Sequence, residues 1–328
     1  MLRFSLRRAQ RSNCHGVVTD CPHKRSMRDR LDPLIAERAR WLFATSPLSS
    51  LARGVAERLL AYDDTLRIAK GLQHLGAADI MATMGTTIAR HVSVQGLRNI
   101  PETGPTLVVA NHPTGIADGI ILYHVLSSVR PDIFIYANAD VLRVLPQLGD
   151  VVVPVEWRKT QRTHAKTRET MKQTAQALER GKMGIIFPSG RLAQRRGLHL
   201  FEREWMPSAA MIARKFDIPV IPVHIGARNS WLFYLLDVIH PTLRDITLFY
   251  ETLNKDRQSF DINIGPAILP DQHHANSHAA IDMLRGATMR LGNNTSHSVP
   301  LLGASRSQRK PSLTKMKPDF WHALWRQN

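Results

Sequence analysis

The stretch Thr106-Leu-Val-Val-Ala-Asn-His-Pro-Thr-Gly-Ile-Ala-Asp-Gly119 begins as an uninterrupted apolar run, passes through a polar turn and ends in a helical pattern. A run of this length and β-branched content reads as a buried strand. Asn111 and His112 then stand just past its carboxyl end, where the sheets of α/β proteins bind their ligands. His112 can accept a proton near neutral pH, and Asp118, in the first turn of the following helix, can hold the imidazole and stabilise its cation. Pro113, Thr114 and Gly115 allow a tight turn, and the amides of this turn and of the helix behind it can donate to a developing oxyanion. The bland alternative is a strand-end histidine satisfying local hydrogen bonds and an Asp118 that merely complements the helix dipole.

Outward from this stretch the same texture repeats. Short β-branched runs at 91–95, 132–136, 151–155, 184–187, 220–224, 246–250 and 261–264 predict further strands. Helical patterns lie between several of them. The clearest spans 163–180 and is closed by Gly181 at a C-terminal cap position. Pro222 cannot donate a ladder bond, which predicts an edge or a bulge there. Strands interleaved with helices give an α/β domain with a mixed, largely parallel sheet flanked by helices, expected over 91–290. Residues 31–90 carry apolar positions such as Leu34, Leu42, Leu59, Ile68 and Leu72 at helical spacing. They predict an N-terminal helical layer, packed on the domain or resting on a membrane.

Length and composition bound the rest. A chain of 328 residues with 43% hydrophobic and 22% charged residues is that of a folded, enzyme-sized protein. Its two cysteines, Cys14 and Cys21, make neither a disulfide framework nor a four-cysteine metal site, and a reducing compartment fits. No apolar run approaches the roughly 18 residues of a spanning helix. The net charge of +17 is uneven: +6 in residues 1–30, +5 in 296–328 and +8 in 156–203. Residues 1–30 read as a disordered basic arm, resembling in part a transit peptide. Residues 291–328 read as a basic tail whose Phe320, Trp321, Leu324 and Trp325 suit a membrane headgroup zone or a docked helix. The expected location is cytoplasmic and peripheral, on the inner membrane face, where anionic lipid attracts the basic tails.

Three further segments point to chemistry. Gly184-Ile-Ile-Phe-Pro-Ser189-Gly190-Arg191 is a second buried strand opening on a tight turn, and Arg191 can grip a phosphate bidentately where Gly190 lets the backbone approach. Gly149-Asp-Val-Val-Val-Pro-Val155 sets a strand beside Arg158 and Lys159, and Asp217-Ile-Pro-Val-Ile-Pro-Val-His224 is a third apolar strand. In this order, across residues 85–270, these segments resemble the glycerophospholipid acyltransferase superfamily of lysophosphatidate and glycerol-phosphate acyltransferases. The landmarks are Val94 to Pro105, Asn111-His112 with Asp118-Gly119, Phe187 to Arg191, and Val220-Ile-Pro-Val223. Arg203-Glu-Trp-Met-Pro-Ser208, Arg228-Asn-Ser-Trp-Leu-Phe-Tyr-Leu235, Ile239 to Arg244 and Leu253-Asn-Lys255 are similar to its haemolysin-like branch, which includes acyltransferases of ornithine-lipid synthesis. Pro113 through Ala117 put five residues between His112 and Asp118 where most of the superfamily has four, a longer spacer shared by that branch. Ser189 stands where the family's turn carries glutamate, and the arginine expected on the second box is absent from its strand, leaving Arg158 as the nearest candidate.

The resemblance implies transfer of a fatty acyl group from acyl-CoA or acyl carrier protein to a hydroxyl of a lysophospholipid or glycerol phosphate in membrane lipid biosynthesis, or of lyso-ornithine lipid by the same chemistry. It implies His112 as general base and Asp118 as its partner. Arg191, Gly190, Ser189 and Arg158 would bind the acceptor headgroup, and Thr114 and Gly115 would form the oxyanion turn. No metal or cofactor is implied. Ser189 lacks the glycine elbow of a serine hydrolase, and His273, His274 and His278 lack the glutamate of a zinc-protease helix. Two readings stay open beside the enzyme. One is an inactive acyltransferase fold that binds lipid. The other is nucleic-acid binding, motivated by a pI of about 10.6, although the charge sits in tails and no stacking platform accompanies it.

Overall fold

The computed structural model describes residues 26–156, 158, 161–272, 276–292 and 298–300. Most of the expected basic arm, the aromatic end of the tail, Lys159, His273 and His274 lie outside the described residues.

Four helices precede the sheet: α1 (Met27–Arg38), α2 (Pro47–Leu59), α3 (Tyr62–Leu72) and α4 (Ala77–Ile88). Ser26 opens α1 with a capping box to Asp29, so the helix begins four residues ahead of the expected boundary at 31. Leu31 and Leu34 of α1, Leu72 of α3 and Ile80 and Ile88 of α4 all enter the main core, so this layer is packed on the domain. The sheet then assembles from β1 (Val92–Gln95), β2 (Thr106–Ala110), β3 (Ile133–Asn138), β4 (Val152–Val155), β5 (Met183–Ile186), β8 (Val220–Gly226) and β9 (Phe260–Ile264), in the order β1-β9-β8-β2-β5-β3-β4. All neighbours are parallel except β8 and β9. A hairpin of β6 (Gln194–Arg196) and β7 (His199–Phe201) forms a second, small sheet with β10 (Ser298–Pro300), which pairs with β7 inside the stretch read as tail.

The remaining helices are α5 (Ile116–Leu126), α6 (Asp140–Val144), α7 (His164–Glu179), α8 (Ser208–Lys215), α9 (Trp231–Ile239), α10 (Pro241–Ile246), α11 (Leu248–Leu253) and α12 (Ser277–Arg290). The central strand β2 is buried along its whole length, and its side chains alternate between two cores. Val108 and Ala110 face α1, α4 and α5, whereas Leu107 and Val109 face α8 and α12. That two-sided burial is why the strand reads as a continuous apolar run. Helix α7 ends as expected: Gly181 takes φ +76° and its N–H bonds Leu178 O at 2.9 Å, while Lys182 N–H bonds Ala177 O at 3.1 Å, the paired closure that a left-handed residue permits.

Two expectations meet the sheet differently. Pro222 lies on an interior strand, and the bulge alternative holds: Val223 pairs Ile264 but Val220 pairs Ile268, so one extra residue of the antiparallel partner faces the proline. Residues 246–250 form no strand. They span the end of α10 and the start of α11, because their apolar side chains find a helix to pack on, α5, and no open sheet edge. Among the described residues no helix is long and apolar enough to cross a membrane.

Candidate functional site

The carboxyl ends of three adjacent parallel strands, β8, β2 and β5, bring three loops to one edge of the sheet. Asn111 starts the middle loop. Its side chain continues the ladder beyond the strand, donating to Ile225 O at 2.9 Å and accepting from Ile225 N–H at 2.7 Å. The next residue, His112, is thereby held at the rim with 18% of its side chain exposed.

Asp118 is fully buried beneath it. Its Oδ2 accepts from His112 Nδ1 at 2.9 Å, from Thr114 N–H at 2.8 Å and from Gly115 N–H at 2.9 Å, while Oδ1 accepts from the Thr114 hydroxyl at 2.5 Å. A proton on Nδ1 leaves Nε2 as the acceptor atom, which is the arrangement a general base requires. Gly115 makes the turn possible, since its φ of +100° suits only glycine and a Cβ would lie 3.0 Å from Leu192. Asp118 therefore closes a capping box at the start of α5 and at the same time holds the imidazole. Phe187 fixes the remaining degree of freedom by stacking on the imidazole at 4.3 Å and 24°.

The turn after β5 lies against this pair. Gly190 takes φ +60°, and Ser189 Oγ donates to Arg191 O at 2.9 Å. Ala193 N–H reaches His112 O at 2.9 Å, so Arg191 emerges exposed two residues from a direct bond to the histidine's backbone. Ser189 is buried and turned inward, a turn-stabilising position rather than the headgroup contact the resemblance implied.

Three other expected residues are placed differently. Arg158 follows β4 at the far edge, three strands or about 14 Å across from β2. Its guanidinium engages Glu156 at 2.9 Å and Glu37 and Asp140 at 3.3 Å each, so its charge is neutralised by carboxylates rather than offered to an acceptor. The Thr114 and Gly115 amides are consumed by Asp118, Pro113 has none, and the His112 amide donates to Glu202 at 3.3 Å. Deeper in the helix start, the N–H groups of Ile116 and Ala117, in the first turn of α5, have no acceptor within the helix.

The structure also supplies residues that went without a role in the sequence. Glu202 sits behind His112, its carboxyl held by the His112 amide and by Trp205 Nε1 at 2.9 Å. Burial pushes this carboxyl above its ordinary proton affinity, against the pull of those donors. From the third loop, Asn229 donates to Thr114 O at 3.4 Å, and Lys255 Nζ, wholly buried, binds Asn229 Oδ1 at 2.7 Å, Gln258 Oε1 at 2.9 Å and Glu251 Oε2 at 3.1 Å. Burial lowers the Lys255 proton affinity and Glu251 restores part of it. Glu251 in turn accepts from Ser230, the cap of α9. Lys255 follows α11 within the polar run Asn254 to Ser259, so residue order gave no signal of its burial, and only its partners in the fold reveal it.

An acyltransferase family model matches residues 91–226, which contain the first two of these loops. The lyso-glycine lipid O-acyltransferase of Phocaeicola vulgatus is 28% identical over 54% of this chain, and that of Bacteroides thetaiotaomicron 27% over 54%. The match spans 64% and 65% of the length of those relatives. The solved 1-acyl-sn-glycerophosphate acyltransferase of Thermotoga maritima aligns over 74% of this chain and 96% of its own, at 14% identity and a TM-score of 0.47. Residues 91–226, whose motifs assemble at the ends of β2 and β5, are thus similar to the acyltransferase family.

Proposed function

We propose that this protein is an O-acyltransferase that moves a fatty acyl group from a thioester, acyl-CoA or acyl carrier protein, to the hydroxyl of a lysolipid. One observation carries the reading: a partly exposed imidazole whose Nδ1 is bonded to a buried carboxylate at 2.9 Å, beside a turn that carries the exposed Arg191. His112 Nε2 takes the proton of the acceptor hydroxyl as its oxygen attacks the thioester carbonyl. The tetrahedral intermediate collapses with cleavage of the carbon–sulfur bond, and the imidazolium returns the proton to the departing thiolate. Ester and free thiol result, with no acyl group passing through the protein. Asp118 compensates the cation in between. Arg191 binds the acceptor's anionic headgroup.

The acceptor class we favour is a lyso-amino-acid lipid. The names of the relatives support it, and with Arg158 removed from consideration the headgroup site rests on Arg191, which matches one carboxylate. Lysophosphatidate is the second acceptor to test. The work would be done peripherally at the inner membrane face. The experiment is a panel of lyso-glycine lipid, lyso-ornithine lipid and lysophosphatidate with acyl-CoA and with acyl carrier protein, reading thiol release. Acceptor-dependent release that His112→Ala abolishes is the expected result. Unchanged transfer by that variant would overturn the assignment of the base.

A further inference from the structure

Helix α9 is apolar on the side that faces away from the protein. Trp231, Leu235, Val238 and Ile239 are 75%, 46%, 63% and 63% exposed, whereas Phe233 is buried and Asp237 points elsewhere. At 100° per residue these four side chains fall within an arc of about 100°, a single continuous stripe. An exposed apolar stripe of this kind marks an interaction surface.

Its surroundings are basic. Asp237, on the opposite side of the helix, is held by Arg195 at 3.3 Å and Arg244 at 3.0 Å, and Arg244 also pairs with Asp245 at 2.7 Å; Arg203 and Arg191, in the same electrostatic neighbourhood, and the exposed Arg196 leave the region with more cations than these two carboxylates balance. Arg195 belongs to the β6–β7 hairpin, so that ion pair also sets the hairpin beside α9. The hairpin exposes Arg196 and His199 and, at its tip, Leu198 with 58% exposure. Arginines gathered beside an apolar stripe match one partner chemistry, a bilayer with anionic headgroups. The apolar side chains enter the acyl boundary, and the exposed Arg196 with the remaining net positive charge meets the phosphates. A second copy of this chain fits poorly, because a two-fold interface over α9 would bring the arginine cluster near its own image.

We infer that α9, with the β6–β7 hairpin, is the surface that docks this protein on an anionic membrane. The inference rests on the lysolipid reading for its purpose and explains how a lipid reaches the site. Ser230, the cap of α9, is next to the Asn229 that bonds the turn of His112, and Ala193, just before the hairpin, bonds the carbonyl of His112. The docked face and the imidazole are thus joined by two short connections.

The test is co-sedimentation of the full chain with vesicles of phosphatidylcholine, with and without phosphatidylglycerol, for the wild type and the double variant Leu235→Glu/Val238→Glu. Both positions are exposed, so the fold, followed by circular dichroism, should be unchanged. Partition to the phosphatidylglycerol vesicles should fall about 100-fold in the variant, and binding of the wild type should weaken with added salt. Partition within about twofold of wild type would overturn the proposal. So would a wild-type dimer in sedimentation velocity that the double variant dissociates, because the stripe would then be covered by a second copy. Acyl transfer to a water-soluble short-chain lysolipid, with no vesicle present, separates the two readings. The variant should keep it. If wild type and variant both lack it, the enzymatic reading falls while the partition result still judges the surface.

Discussion

Replacing Asp118 by Asn isolates what its charge contributes. The three donors that matter, His112 Nδ1, Thr114 N–H and Gly115 N–H, all converge on Oδ2, and only the Thr114 hydroxyl uses Oδ1. A carboxamide placing its oxygen at the Oδ2 position keeps all three bonds and therefore the tautomer of the imidazole. Its NH2 faces a hydroxyl that can rotate to accept. Only the compensation of the imidazolium is lost. At 2.9 Å and an effective dielectric constant of about 20, that attraction is at most about 6 kcal/mol. Solvation of the partly exposed ring offsets some of it, leaving about 3 kcal/mol, or roughly 100-fold in turnover. Asp118→Ala instead leaves two amides unpaired in the buried turn, at about 1 to 3 kcal/mol each, so it should lower stability and activity together. The assay pairs thiol release from acyl-CoA in the presence of lysolipid with urea denaturation. Activity of Asp118→Asn within about fivefold of wild type would refute the claim that the carboxylate charge stabilises the reacting histidine. A stability loss above about 4 kcal/mol in that variant would refute the bond pattern on which the estimate rests.

Gly115→Ala should cost about 1 to 3 kcal/mol of stability, measured by urea denaturation, and most of the activity, since φ +100° and the Leu192 contact both oppose a Cβ. Lys255→Met should cost about 3 to 5 kcal/mol by stranding Glu251, and the pair Lys255→Met/Glu251→Gln should recover part of it in the same measurement. The two ring nitrogens of His224 are buried with no hydrogen-bond partner among the described residues, and burial drives its proton affinity down to about 4. The unfolded chain then binds the extra proton between pH 6.5 and 4, so stability falls across that window as pH drops, by on the order of 3 kcal/mol in total. His224→Leu should flatten that part of the stability–pH curve. For Glu156, burial opposes ionisation but bonds from Arg158 and Lys166 prevail and hold it at about 2, below the ordinary 4.5. Its contribution is complete above pH 4.5 and is lost as pH falls through 2, so wild type and Glu156→Gln should converge in stability toward pH 2 and separate above 4.5.

What the sequence by itself determined was local in origin. An apolar β-branched run bounded by polar residues is a buried strand wherever it lies, so β2, β5 and β8 and their order were legible. So was the pairing of His112 with Asp118, because six residues spanning a strand end, a glycine turn and a first helical turn leave little freedom for the carboxylate to be elsewhere. Tertiary structure alone decided what depends on distant partners. Arg158 is withdrawn by Glu37, more than a hundred residues away, and His112 is backed by Glu202 from the segment just past β7. Residues 246–250 are helical because α5, not a sheet edge, receives them. The Thr114 and Gly115 amides were legible as donors, but whether they faced a substrate or Asp118 was a matter of angles within one turn, and hydrogen-bond competition inside a buried turn has no signature in residue order.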